Sequence, residues 1–169
     1  MICISVPAAA SDTLEVSTAI QDDILIIEVQ GISRDSLFTT LKKGMRTRLS
    51  FELEIYLHSV FQQRVLFDYK RTHILRYDPF ENRMIMYAEP GDRAEFGLDS
   101  WFDAFRRTTM SIGQDVLQEI PEGSEIRIRA VWDPVLLIPG FRFLRMIVPG
   151  LRRTGPWTVI TDAWQGSSL

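Results

Sequence analysis

The chain has 169 residues, enough for one domain with a substantial core and short for two. Hydrophobic residues make up 46% and charged residues 24%, an ordinary globular balance, and no apolar run reaches the ~18 residues that span a bilayer. The net charge of −3 argues against a nucleic-acid binder, and the single cysteine, Cys3, leaves no internal disulfide or multi-cysteine metal site.

The average charge hides an asymmetry. Residues 1–133 hold 15 Lys+Arg and 21 Asp+Glu, net −6, whereas residues 134–169 hold 4 and 1, net +3. The basic excess is carried by Arg142, Arg145, Arg152 and Arg153. At the other end, Ile2 to Val6 followed by Ala8-Ala9-Ala10 and then Ser11-Asp12 reads as the tail of a signal peptide lacking its basic region. Residues 1–10 are therefore expected to be a signal remnant and 11–169 a single domain, periplasmic or otherwise exported, with no cysteine after cleavage. The alternatives are a frayed terminus, a short strand from residue 2, or a lipidated Cys3.

Alternation at Leu14, Val16, Thr18 and Ile20, a polar break at Gln21-Asp22-Asp23 and an apolar run from Ile24 to Gln30 predict a hairpin. Ser33 is placed to cap a short helix with Leu37, Phe38 and Leu41 buried and Gly44 as its stop. From Arg46 to His58, Leu49, Phe51, Leu53, Ile55 and Leu57 alternate with polar residues, which gives a long strand with one dry and one wet face. The pattern returns over Arg64 to Tyr77, with Val65, Phe67, Tyr69, Arg71, His73 and Leu75 on one face. A turn at Asp78-Pro79 leads to a strand over Arg83–Ala88, a second turn at Pro90-Gly91-Asp92 to a short strand at Arg93–Gly97.

Asp99 then predicts a helix through about Ser111, with Phe102, Phe105 and Met110 facing in. Glu125–Asp133 reads as a strand and Gly155–Trp164 as the last one. The order predicts an α+β domain, mainly antiparallel β, a twisted meander or sandwich-like sheet with two short helices.

Catalytic spacings are absent: no Walker loop, G-x-G-x-x-G, G-x-S-x-G or H-E-x-x-H occurs. No catalytic residue, metal site or cofactor is assigned. Pairing the two long strands sets His58 near Arg64 and His73 near Leu49, too far apart to share a metal, and sets Glu52 opposite Lys70. Glu52 and Glu54 thus read as cross-strand charge partners before they read as an acid/base pair. The run Pro134 to Pro149 is too apolar for a solvated loop and too interrupted by prolines for a long element. Phe141, Arg142, Phe143, Leu144, Arg145, Ile147, Arg152 and Arg153 are the candidates for a greasy, basic lip touching a partner or a membrane surface. The same segment can instead close one end of the core, its arginines reaching out to water.

A helix ending Leu41-Lys42-Lys43-Gly44 runs into the Arg46–Leu57 strand. An Arg64/Asp68 strand, Leu75-Arg76-Tyr77-Asp78, Asn82-Arg83, a helix near 99–111 and a proline-rich apolar run before a tryptophan-bearing strand follow. Over roughly residues 20–164 this pattern resembles the bacterial domain-of-unknown-function family numbered forty-three-ninety, whose members look like secreted proteins. It departs in carrying Met84 and Met86 beside Tyr87 where aromatics are common, and in the spacing of its prolines. The resemblance implies an envelope role, with a membrane-bound sensor among the partners it suggests, and transfers no active site. The leading expectation is a non-enzymatic exported interaction module that contacts an envelope protein or membrane-bound sensor and binds no nucleic acid. The alternative is a carrier or sensor of a hydrophobic small molecule, lined by Phe51, Leu53, Phe67, Tyr69 and Phe105.

Overall fold

A computed structural model of the chain describes residues 13–21, 24–58, 63–111, 121, 124–137 and 150–160. The first hairpin joins β1 (Glu15–Gln21) to β2 (Ile24–Gln30), in register from Glu15↔Gln30 to Gln21↔Ile24. Gly31 leaves it at φ 86, and a Cβ there would collide with the carbonyl oxygen of Thr13, so the close approach of β1 and this turn requires glycine. Helix α1 (Arg34–Lys42) starts where Ser33 accepts a hydrogen bond from the Ser36 N–H, and buries Leu37 and Leu41. Gly44, at φ 79, ends it by donating to the Leu41 carbonyl at 2.9 Å.

A meander follows: β3 (Thr47–His58), β4 (Gln63–Asp78), β5 (Arg83–Glu89) and β6 (Asp92–Phe96), each antiparallel to the next. The β3–β4 register includes His73↔Leu49 and Glu52↔Lys70, as alternation predicts. One correction falls at its far end. A bulge leaves Leu66 unpaired, so His58 meets Gln63 and not Arg64. Val65 then pairs with Tyr56 and is exposed, where unbroken alternation would have put it on the dry face.

The second helix is shorter than predicted. Helix α2 (Trp101–Arg106) stops at Arg106, and Arg107–Ser111 is a strand, β7, paired with β2. Thr108 and Thr109 favour extended backbone, and β2 offers an open edge; together these override the helical pattern. Met110 still faces in, by strand and not by helix geometry.

Strand β8 (Ser124–Asp133) lies on the other side of β3, which makes β3 central. Of the predicted Gly155–Trp164 strand only Thr158–Ile160, β10, is extended in the sheet among the described residues; a short β9 (Arg153–Thr154) precedes it, both pair with β8, and residues 161–164 lie outside the described ones. The large sheet runs β10-β8-β3-β4-β5-β6 and the small one β1-β2-β7. The domain is thus a mainly antiparallel, sandwich-like α+β fold with two short helices.

One apolar cluster joins the layers: Leu25, Ile27 and Val29 from the small sheet, Leu37 and Leu41 from α1, Trp101 and Phe105 from α2, and Leu49, Phe51, Leu53 and Ile128 from the large sheet. At one end of the core Trp132 donates its indole N–H to Thr47 Oγ1 at 2.9 Å, and Thr47 donates to the Asp133 carbonyl at 3.0 Å. The outer face of the large sheet is a charge ladder. Arg48 bonds Asp133, Lys70 and Arg129 both bond Glu52 at 2.8 Å, and Arg127 grips Glu54 through Nε and Nη2 at 3.0 and 2.6 Å. Arg127 also stacks between Tyr56 and Trp157, at 4.1 and 4.6 Å.

Candidate functional site

The small sheet is narrower than the large one, so the layers cannot cover each other fully. At the uncovered margin an open cleft of about 470 Å³ lies between the inner face of β4–β6 and the α2–β7 wall. Arg71 and His73 come from β4, Met86 and Ala88 from β5, Asp92 and Ala94 from β6. The facing wall supplies Asp103 and Ala104 from α2 and Arg107, Thr108 and Thr109 from β7. Strand alternation places these side chains: the pairs His73↔Ala88 and Met86↔Ala94 lie in rows across the floor. Small residues at 88, 94 and 104 keep the cleft from filling with its own side chains.

His73 is buried, 3% exposed, with its ring edge-on to Phe51 at 5.1 Å between centroids. Its Nδ1–H donates to the Phe105 carbonyl at 2.9 Å, which fixes the tautomer and makes Nε2 the remaining polar atom of the ring. Burial pushes its pKa below the ordinary histidine value, and the nearby Arg71 charge adds to the effect, against the opposing pull of the Phe105 bond. The ring is therefore neutral at pH 7 and not a cation.

Arg71 sits beside it with a single acid contact, from Nη2 to Asp92 at 3.3 Å, and Asp92 is itself largely exposed. Its Nε is buried and has no hydrogen-bond partner among the described residues. On the opposite wall Asp103 is held by Arg106, which also reaches Glu28. The cleft therefore offers an apolar floor, a neutral imidazole, the arginines Arg71 and Arg107 and the carboxylates Asp92 and Asp103.

The carboxylates singled out in the sequence lie elsewhere. Burial alone would raise the Glu52 pKa, but hydrogen bonds from Lys70 and Arg129 and their charges hold it below the ordinary carboxylate range. An ionised, doubly bonded Glu52 is placed to hold the sheet, as its cross-strand pairing predicts. The two histidines fall at opposite ends of the β3–β4 ladder.

Of the proposed hydrophobic-ligand residues, Phe51, Leu53 and Phe105 are fully buried in the core, and Phe67 and Tyr69 pack half-buried against it. None of the five lines the cleft. Phe141, Arg142, Phe143, Leu144, Arg145 and Ile147 lie outside the described residues. Arg152 is exposed, and Arg153, on β9, lies over the Trp132 ring at 5.2 Å. The cleft residues had one legible signal: Arg71 and His73 interrupt the apolar face of β4, where a purely structural strand would carry aliphatic side chains.

Comparison with protein-family models, with curated proteins and with solved structures finds no match.

Proposed function

We propose that this chain is a non-enzymatic interaction module of the bacterial cell envelope that binds its partner along its sheet edges. The observation that carries this reading is the flanking of one cleft by two terminal strands. Among the described residues β6 ends the large sheet and β7 ends the small one, and side chains of both line the same cleft. An edge strand presents a row of backbone donors and acceptors, and an adjacent cleft gives side chains of an incoming strand somewhere to go. β6 is short and carries Asp92, Arg93 and Glu95, charges that discourage indiscriminate pairing and leave selection to the cleft. The apolar, basic run of residues 134–153 is the second contact in this reading. The resemblance to the secreted forty-three-ninety family supports its placement in the envelope.

A photoreactive phenylalanine analogue at Ala94, compared with one at Val159 on β10, tests the edge directly. Cross-links to one envelope component from position 94 and none from 159 support it; equal or no cross-linking from 94 rejects it. Replacing Phe141, Leu144 and Ile147 together by serine should weaken the association without unfolding the domain. Unfolding would make that run core and remove it from the interface.

The alternative, a carrier of a hydrophobic small molecule, draws on the Met86, Ala88 and Ala94 floor. Ala94→Asp tests it: a charge on that floor should abolish uptake of an apolar fluorescent probe, and unchanged uptake would reject the carrier reading.

A further inference from the structure

On the outer face of the large sheet Arg48, Arg127 and Arg129 are engaged by carboxylates of this chain, whereas Arg71 in the cleft is only partly engaged. Arg127 gives Nε and Nη2 to one glutamate, the forked geometry that suits a guanidinium. Arg71 has the same fork and uses little of it. Nε is buried without a partner among the described residues, and the Nη2 contact to Asp92 is long, at 3.3 Å, and made to a residue 75% exposed on its side chain. Arg76 and Arg83 also have an Nε without a partner, but neither lines the cleft. Arg107 stands on the opposite wall as a second cation. An anion entering between the walls would meet the Nη end of Arg71, since Nε is closed to solvent, with Asp92 as the internal carboxylate it displaces.

We infer that Arg71 anchors a carboxylate carried by an extended polypeptide segment that adds to β6 within the cleft. This rests on the edge-binding reading above and names its partner chemistry. The strand direction is supplied by the β6 backbone, the small floor residues Ala88, Ala94 and Ala104 admit alternate side chains, and the carboxylate fixes register. It comes from a chain terminus or from an acidic side chain; a carboxylate is the shared chemistry. His73, held neutral by its burial, adds no competing cation beside the fork.

Rhodamine-labelled seven-residue peptides of alternating valine and threonine make the test, in three forms. One ends in a free carboxylate, one is amidated, and one is amidated with a central glutamate. Fluorescence polarisation should show at least one acid form binding about tenfold tighter than the neutral amide. The free-terminus and glutamate arms tell the two sources apart. Arg71→Gln should abolish the advantage, and Asp92→Asn, at an exposed site that leaves the fold alone, should increase it several-fold by removing the competitor.

Equal binding of acid and neutral peptides, or an advantage that survives R71Q or is unmoved by D92N, overturns the anchor while edge binding stands. Acetate that perturbs Arg71 when no peptide binds overturns the added strand and the edge reading with it. A dimer in size-exclusion chromatography that peptide does not dissociate would make the occupant a second copy and equally overturn the proposal.

Discussion

Two arginine environments on one sheet teach different things. On the outer face, Arg48, Arg127 and Arg129 lie across from Asp133, Glu54 and Glu52, each in register, so attraction, stacking and strand pairing reinforce one another. On the inner margin, Arg71 stands among small side chains with one weak contact and a buried donor unused. Charges that serve the fold are engaged within it. A charge left only partly engaged beside a cleft is where we propose that a partner fits.

The contrast can be broken from the outer face first. Arg48→Met removes one guanidinium from the 1%-exposed Asp133 and should cost about 1–2 kcal/mol in urea unfolding, less than for a fully buried pair because Arg48 is partly exposed. A loss under half that size would show the ladder to be incidental. Arg127→Ala removes a forked ion pair and two ring contacts and should cost about 1–2 kcal/mol, with much of the loss surviving in high salt because the stacking does not depend on charge pairing.

Titration sharpens the same contrast. His73 has a folded pKa below its unfolded value, so the unfolded chain takes up the proton first. Stability should therefore fall as pH drops below about 6.5, the ordinary histidine value, and His73→Gln should flatten that decline. Glu52 also has a lowered folded pKa; its contribution is present above the ordinary carboxylate pKa and is lost as pH falls through the lowered one. Unfolding free energies at intervals from pH 7 to pH 3 separate the two steps. The smallest stability effect belongs to Arg71→Gln, within about 0.5 kcal/mol, because its contact is long and solvent-exposed. A large loss there would make Arg71 a structural residue and erase the difference between the two regions.

Much of the frame was legible before any coordinates. Period-two alternation predicted β3, β4 and their register down to Glu52↔Lys70, because one face of each strand must be dry and a one-residue slip would bury charge. It failed at Leu66, where a bulge changes the parity that alternation assumes, and at Arg107, where pairing with β2 outweighed a helical pattern. The cleft was not read because it is made by two elements far apart in the chain. The packing of α2 and β7 against β4, β5 and β6 shapes it, and no local pattern encodes that. Arg71 and His73 were nevertheless visible as polar residues on an apolar face.

The most direct measurement is an arginine-selective ¹⁵N spectrum of the side-chain Nε–Hε groups, recorded while the glutamate-bearing and free-terminus peptides are added. The Arg71 resonance should move in a saturable way with either acid form while those of Arg127 and Arg129 stay in place. Unmoved Arg71, or equal movement of all three, would contradict the division between arginines engaged within the fold and one left for a partner.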